Sequence, residues 1–121
     1  IEYNEKFSHQ LYAGADFLLM PSRVEPCGLN QMYSMRYGTV PMVRRTGGLN
    51  DTVIDIGDWQ GYGLCFSHAS LDDILEAMER ALHIFKDKPL MHEVRERMMS
   101  VNNSWETSAK QYIELYQSIY K

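Results

Sequence analysis

The 121-residue sequence predicts an α/β fold, in which a parallel sheet lies between layers of helices. Short apolar runs at residues 17–20, 40–43 and 63–66 alternate along the chain with segments of helical periodicity. Continuous apolar runs of this kind are typical of strands buried on both faces, as in parallel sheets. Parallel strands are joined by right-handed crossovers, which place helices on both faces of the sheet. The prediction is therefore a three-layer α/β fold that ends in a helical carboxyl-terminal tail.

Two helices are predicted around the first strand. The first spans residues 3–14, and Gly14 is a plausible stop signal for it. After a loop at residues 23–28, the second helix continues to Gly38. The apolar face predicted for the second helix carries Leu29, Met32, Tyr33 and Tyr37.

Between the second and third strands the sequence indicates mostly turns and loops. Gly47 and Gly48 predict either a turn or a close approach of another backbone segment. A short helical turn is expected to begin at residues 50–52. Residues 55–63 are rich in Gly and Asp, and they predict a surface loop.

Three helices are predicted after the third strand. Ser70, with an acid at Asp73, has the form of a capping box that opens the first of them. Pro89 is expected to open the second, and Ser104 to cap the third. The first has apolar positions at Leu71, Ile74, Leu75, Met78, Ala81, Leu82 and Phe85, and the second turns Met91, Val94 and Met98 inward. In the third, helical spacing predicts core positions at Trp105, Ala109, Tyr112, Ile113, Tyr116 and Ile119.

Composition limits the classes of function. A net charge of −4 gives no reason to expect nucleic acid or an anionic membrane as a partner. No apolar run approaches the roughly 20 residues that a membrane-spanning helix needs. The cysteines Cys27 and Cys65 lack metal-ligand spacing, and free thiols are typical of a reducing cytoplasm. We therefore expect a cytoplasmic protein with no metal site.

The chain is expected to be part of something longer. It begins with Ile1 and enters a helical pattern almost at once. Three strands make a small sheet whose edges are exposed unless further strands pair with them, and an exposed edge favours dimerisation. We therefore expect residues 1–121 to form a single partial domain.

Candidate binding residues follow the first two predicted strands. Glu25, Cys27, Gly28 and Leu29 come after the first strand, and the glycine pair at 47 and 48 after the second. The carboxyl ends of parallel strands meet at one edge of the sheet, which is where ligands bind. Backbone N–H groups at a helix start bind phosphates or polarised hydroxyls, and Glu25 can accept hydrogen bonds from hydroxyls. These residues predict a site for a phosphorylated or polyhydroxylated ligand.

Each of these residues also has a simpler interpretation. Glu25 could only complement the dipole of the helix that follows. Cys27 could be a small buried residue without a chemical role. Gly47 and Gly48 could form a plain turn.

Three segments resemble bacterial glycogen synthase and plant starch synthase closely. They are PSRVEPCGLNQ at residues 21–31, RYGTVP at 36–41 and RTGGLNDTV at 45–53, and the SWE sequence at 104–106 resembles the end of that family. The family is similar to retaining glycosyltransferases of the GT-B type, in which two Rossmann-like domains face a cleft. The resemblance implies that this chain is the later part of the carboxyl-terminal, nucleotide-sugar-binding domain.

The resemblance also implies a reaction and a role for each site residue. Glucose would pass from ADP-glucose to the non-reducing end of an α-1,4-glucan, with retention and without a metal or cofactor. Glu25 would be the active-site carboxylate at the donor sugar. Cys27, Gly28 and Leu29 would contact the glucose through backbone N–H groups, and Gly47 and Gly48 would lie beside the diphosphate. A starch synthase would place the protein in the plastid rather than the cytoplasm.

Departures from the pattern leave alternatives open. Related GT-B enzymes often carry a second Glu where this chain has Tyr33, which favours a glycogen synthase over a sucrose-synthase-like or trehalose-phosphate-synthase-like enzyme. Arg44 and Arg45 do not match the family's basic pair for the phosphates. The isolated chain is therefore expected to be inactive, and a non-catalytic sugar-nucleotide-binding module is the other alternative. ADP-glucose and UDP-glucose are not distinguished by these residues.

Overall fold

A computed structural model of the chain describes residues 4–120, and it confirms the predicted α/β fold. Strands β1 (Phe17–Met20), β2 (Val40–Arg44) and β3 (Leu64–Phe66) form one parallel sheet in the order β1-β2-β3. The helices are α1 (Glu5–Gly14), α2 (Asn30–Arg36), α3 (Gly47–Thr52), α4 (Leu71–Lys86), α5 (Lys88–Ser100) and α6 (Trp105–Ile119). Because all three strands run in the same direction, the loops after β1 and β2 leave the sheet at the same edge.

The core is built around the central strand β2. Val40 to Val43 are all buried, because β2 lies between two paired strands and helices α2, α3 and α5 pack against it. Met91, Val94 and Met98 of α5 are also buried, as their spacing predicts. The partial-domain assignment for residues 1–121 stays a prediction.

The prediction that β1 is buried on both faces is wrong for the described chain. Only Met20 is buried, and the side chain of Leu19 is exposed. Within residues 4–120, β1 pairs with β2 alone, so that it forms an edge of the sheet. The apolar run identified the strand correctly but did not show what covers it.

The buried face of α2 also differs from the prediction. The helix packs against the sheet and α5 with its 31, 34 and 35 positions, and Gln31, Ser34 and Met35 are buried. Leu29, Tyr33 and Tyr37 are exposed. Tyr33 and Tyr37 lie instead beside His9 and Tyr12 of α1, and the phenol oxygen of Tyr37 is 2.8 Å from Nδ1 of His9. The buried face of α2 thus includes two polar side chains, Gln31 and Ser34, at positions that the sequence pattern did not predict to be buried.

Helices α4 and α6 present apolar stripes that the described residues do not cover. In α4 the sheet-facing side chains are Ala77, Ala81 and Ile84, whereas Leu71, Leu75, Met78, Leu82 and Phe85 are exposed. In α6 no residue is buried, so the core positions predicted from its spacing are wrong for the part of the chain that is described. Helical spacing marks a stripe as apolar, but burial depends on a packing partner.

Residues 55–63 are not simply a surface loop. Asp55 is buried, with 7% of its surface exposed, and residues 61–63 are buried as well. Oδ1 of Asp55 accepts hydrogen bonds from Arg80 at 2.5 Å and from the N–H of Gly57 at 2.9 Å. Oδ2 accepts from the N–H of Cys65 at 2.6 Å. Burial alone would raise the pKa of Asp55, but these hydrogen bonds outweigh it and hold the pKa below the usual value.

The predicted helix starts after the third strand are confirmed. The hydroxyl of Ser70 accepts a hydrogen bond from the N–H of Asp73 and donates one to its carboxylate. Pro89 lies in the first turn of α5, and Ser104 occupies the N-cap position of α6 without a side-chain cap bond. The short helix α3 starts earlier than expected, because Gly47 and Gly48 already belong to its first turn.

Candidate functional site

The two groups of predicted site residues lie in direct contact. The loop that follows β1 crosses the start of α3, where the N–H of Gly48 donates a hydrogen bond to the carbonyl oxygen of Pro26 at 3.1 Å. A Cβ atom on residue 47 would stand 2.1 Å from the carbonyl oxygen of Glu25. A Cβ atom on residue 48 would stand 2.0 Å from that of Cys27. Because both distances are far below contact range, only glycines allow the two backbones to meet.

The glycine pair therefore has a specific structural role. Gly47 and Gly48 open α3, so the interpretation as a plain turn is wrong. Gly47 also has a φ of +43°, a region that other residues rarely adopt. Of the two interpretations made from sequence, a close approach of backbone segments is the one confirmed.

Glu25 lies half-buried at this contact. Its carbonyl faces Gly47, and its carboxylate has a long contact of 3.5 Å with the hydroxyl of Ser22. The residue precedes Leu29, the N-cap of α2, and the first turn of that helix contains no acid. A role limited to complementing the dipole of α2 therefore does not fit its position.

The residues that precede α2 include two with unpaired backbone N–H groups among residues 4–120. Cys27 is an exposed free thiol, so its interpretation as a small buried residue is wrong. Gly28 has a φ of +72°. Leu29 is the N-cap of α2, and no side chain caps the helix there. The N–H groups of Gly28 and Leu29 take part in none of the hydrogen bonds found within residues 4–120.

The side chains of Arg44 and Gln31 hold the loop between β1 and α2 through hydrogen bonds to its carbonyl groups. Neither role was predicted from the sequence. The guanidinium of Arg44 donates from Nε to the carbonyl of Ser22 at 2.8 Å and from Nη2 to that of Arg23. The amide of Gln31 donates to the carbonyls of Cys27 and Gly28 at 3.2 Å and 3.0 Å. A sequence signal for the role of Gln31 did exist, because its amide follows Gly28 by about one helical turn and can reach the carbonyl of that glycine. No sequence signal was available for Arg44.

Other groups in the described chain bear on the predicted chemistry. The guanidinium of Arg44 donates to the loop carbonyls, and Arg45 lies 3.6 Å from the carboxylate of Asp58 in an exposed ion pair. Burial raises the pKa of the Cys65 thiol to about 11, which makes it a poor nucleophile. Within residues 4–120, no three His, Cys, Asp or Glu side chains are grouped in a way that could hold a metal ion. Nor does that stretch contain a helix long and apolar enough to span a membrane.

The chain is similar over nearly its whole length to segments of known proteins. The chain is 56% identical over 119 residues to the glycogen synthase of Flavobacterium johnsoniae, a match that covers 98% of this chain. Among solved structures, the catalytic domain of starch synthase IV from Arabidopsis thaliana, bound to ADP and acarbose, matches with a TM-score of 0.86 and 43% identity over 98% of the chain. The sucrose-phosphate synthase of Thermosynechococcus elongatus matches with a TM-score of 0.68 and 28% identity over the same share.

These matches involve only part of each relative. The chain spans about a quarter of the glycogen synthase and of the starch synthase, and 29% of the sucrose-phosphate synthase. No protein-family model matches the chain. The similarity therefore concerns one segment of larger enzymes.

Proposed function

The chain is homologous along its whole length to a segment of glycogen and starch synthases, and on that premise we propose that it forms one wall of a glucosyl-donor site. The observation that carries the proposal is the 46–56% identity to glycogen synthases over 98% or more of the chain. In this proposal residues 1–121 are the later part of a carboxyl-terminal, nucleotide-sugar-binding domain of the GT-B type. The complete enzyme transfers glucose from ADP-glucose to the non-reducing end of an α-1,4-glucan, with retention.

The proposed roles follow from the chemistry of the contacting groups. The carboxylate of Glu25 accepts hydrogen bonds from hydroxyls of the donor glucose. Cys27, Gly28 and Leu29 contact the same sugar, mainly through backbone N–H groups that have no other acceptor within residues 4–120. Gly47 and Gly48 lie beside the diphosphate of the donor. No cofactor or metal belongs to the proposed reaction.

Charge develops on the departing diphosphate as the bond to glucose breaks. Preorganised N–H groups and cations lower the energy of such a charge more than water does. Arg44 donates to the loop carbonyls, and neither Arg44 nor Arg45 matches the family's basic pair, so we assign the phosphate cations to other parts of the enzyme. For the same reason we propose that this chain is inactive when isolated.

A second candidate is a transferase of the sucrose-phosphate-synthase kind. The observation in its favour is the similarity to the Thermosynechococcus structure, which has the lower identity of 28%. Tyr33, at the position of the second glutamate of many related enzymes, argues for the first candidate. Transfer of glucose to glycogen, rather than to a small acceptor, distinguishes the two.

The proposal can be tested in a chimera. The matching segment of the Flavobacterium johnsoniae glycogen synthase is replaced by this chain, and transfer from labelled ADP-glucose to glycogen is measured. We expect activity in the chimera, a loss of at least about 100-fold in Glu25→Gln, and none in the isolated chain. Glu79→Gln, which alters an exposed carboxylate of α4, is the matched control.

Three outcomes would contradict parts of the proposal. A folded but inactive chimera would refute the assignment of the chain to a glucan synthase. Full activity of Glu25→Gln would refute the role of that carboxylate. Activity of the isolated chain would refute its proposed dependence on the rest of the enzyme. Parallel assays with UDP-glucose identify the preferred donor.

A further inference from the structure

Gln31 makes a set of contacts that packing alone does not require. Its side chain is fully buried, with 0% of its surface exposed. Nε2 lies 3.2 Å from the carbonyl of Cys27, 3.0 Å from that of Gly28 and 3.0 Å from the hydroxyl oxygen of Thr52. A buried amide therefore connects the loop before α2 with the end of α3.

The orientation of this amide is determined by its neighbours. The hydroxyl of Thr52 donates its proton to the carbonyl of Gly48 at 2.6 Å, so that toward Gln31 it can only accept. All three partners of Nε2 are then acceptors, so the NH₂ group of the amide, and not its oxygen, faces Cys27, Gly28 and Thr52. Oε1 is left buried without a hydrogen-bond donor among the described residues. An unsatisfied buried acceptor destabilises the fold, which indicates that the amide is present for another reason.

We propose that Gln31 is a positioning residue that aims the N–H groups of Gly28 and Leu29 at the donor sugar. A trans peptide is planar, so its C=O and N–H bonds point in opposite directions. The carbonyl of Cys27 shares a peptide plane with the N–H of Gly28, and the carbonyl of Gly28 shares one with the N–H of Leu29. By drawing both carbonyls inward, Gln31 turns both N–H groups away from the interior. This inference rests on the proposed function for the identity of the ligand.

Two further observations support this role. The N–H groups of Gly28 and Leu29 donate to no acceptor found within residues 4–120, so they are free for a ligand. A Cβ atom on residue 28 would stand 2.5 Å from Oε1 of Gln31, so a glycine is needed for the amide to reach the loop. Gln31 touches the peptide planes and not the sugar, and it therefore acts by orientation.

The first test measures the geometry of the loop and needs no ligand. Residual dipolar couplings report the directions of the N–H bonds of Gly28 and Leu29 in the 121-residue chain. We expect these couplings to change in Gln31→Met, which keeps the volume of the side chain but lacks the donor. Ser34→Ala is the matched control, because Ser34 is equally buried on the same helix and donates only to the carbonyl of Gln31. Unchanged couplings in Gln31→Met would overturn the inference.

The second test measures catalysis in the chimera described above. Groups that contact a substrate lower the reaction rate when they are displaced. We therefore expect Gln31→Met and Gln31→Glu to lower kcat/KM for ADP-glucose by about 100-fold. The KM for glycogen should not change, because the glucan does not contact these N–H groups in the proposal. Ser34→Ala should keep the kcat/KM of the unsubstituted chimera.

The outcomes separate this inference from the proposed function. An inactive chimera refutes the function and leaves the dipolar couplings to decide whether Gln31 orients the loop. An active chimera in which Gln31→Met keeps its kcat/KM overturns the positioning role and leaves the function intact. An equal loss in Ser34→Ala assigns the effect to stability, and that result also overturns the inference.

Discussion

Gly48 lies so close to Cys27 that a Cβ atom at residue 48 would stand 2.0 Å from the Cys27 carbonyl oxygen. Cys27 lies in the loop after β1, whereas Gly48 lies in the first turn of α3, which follows β2. Their contact brings Glu25 and the N–H groups before α2 to the start of α3. The proposed sugar-binding and phosphate-binding residues can therefore lie next to each other only because residue 48 is a glycine.

Replacement of Gly48 by alanine should destabilise the fold. In a helix, replacement of glycine by alanine normally stabilises the fold by up to about 1 kcal/mol. Here the new Cβ atom would overlap the backbone carbonyl of Cys27, which a change of side-chain rotamer cannot move. We expect the free energy of unfolding to fall by about 2 kcal/mol, as measured by urea denaturation. Gly14→Ala is the control, since nothing lies within 4 Å of a Cβ atom at that position, and it should be neutral or stabilising. Equal stability of the two variants would contradict the contact.

The ion pair of Asp55 and Arg80 should make stability depend on pH in the acid range. The pKa of Asp55 is lower in the folded chain than its usual value of 3.8. Its contribution is therefore fully present above that value and is lost as the pH falls through the lower, folded pKa. Arg80→Met removes one hydrogen bond but not the burial, so the pKa of Asp55 should rise and acid unfolding should begin at higher pH.

We expect Arg80→Met to lower the free energy of unfolding by about 3 kcal/mol at neutral pH. Urea denaturation at a series of pH values down to about pH 3 measures both effects. Arg36→Met, which alters an exposed arginine with a 3.4 Å contact to a backbone carbonyl, serves as the control. An acid-unfolding profile of Arg80→Met that coincides with that of the unsubstituted chain would contradict this prediction.

Two apolar residues of α4 should differ sharply in their contribution to stability. Ile84 is 4% exposed and faces the core, whereas Leu82 is 57% exposed on the uncovered stripe. Ile84→Ala should lower the free energy of unfolding by about 3 kcal/mol because it leaves a cavity, and Leu82→Ala by less than about 1 kcal/mol. Thermal or urea denaturation of the isolated chain compares the two. Similar losses would show that the stripe is covered, for instance by a second copy of the chain.

The cap of α4 should be detectable in the titration of Asp73. Hydrogen bonds from the Ser70 hydroxyl and from the N–H of His68 lower the pKa of Asp73 to about 2. Ser70→Ala removes the first of these, so the pKa of Asp73 should move toward 3.8 in an NMR titration. The lost cap should also cost about 1 kcal/mol of stability. Ser104→Ala should cost less, since that N-cap makes no side-chain cap bond, and a pKa of Asp73 that stays near 2 in Ser70→Ala would contradict the assignment.

The alternation of apolar runs with helical segments was enough to predict the parallel sheet and most helix boundaries. These features are local, because a strand, a capping residue or a stop signal is encoded by neighbours in the sequence. The residues of the candidate site also lay in recognisable segments, and the comparisons confirm the resemblance to glycogen and starch synthases. The roles assigned to those residues stay predictions.

Only the tertiary structure decided which apolar and polar groups are buried. Helical spacing predicted one apolar face for α4, but the side chains that contact with the sheet buries are Ala77, Ala81 and Ile84, and of these only Ala81 was on the predicted face. Gln31 and Asp55 looked like ordinary polar residues, yet both are buried. Gln31 contacts the hydroxyl of Thr52, and Asp55 accepts hydrogen bonds from Cys65 and Arg80, which lie 10 to 25 residues away in the sequence. Burial and hydrogen-bond partners depend on which segments meet in space, and a pattern along one segment cannot specify the segment that will pack on it.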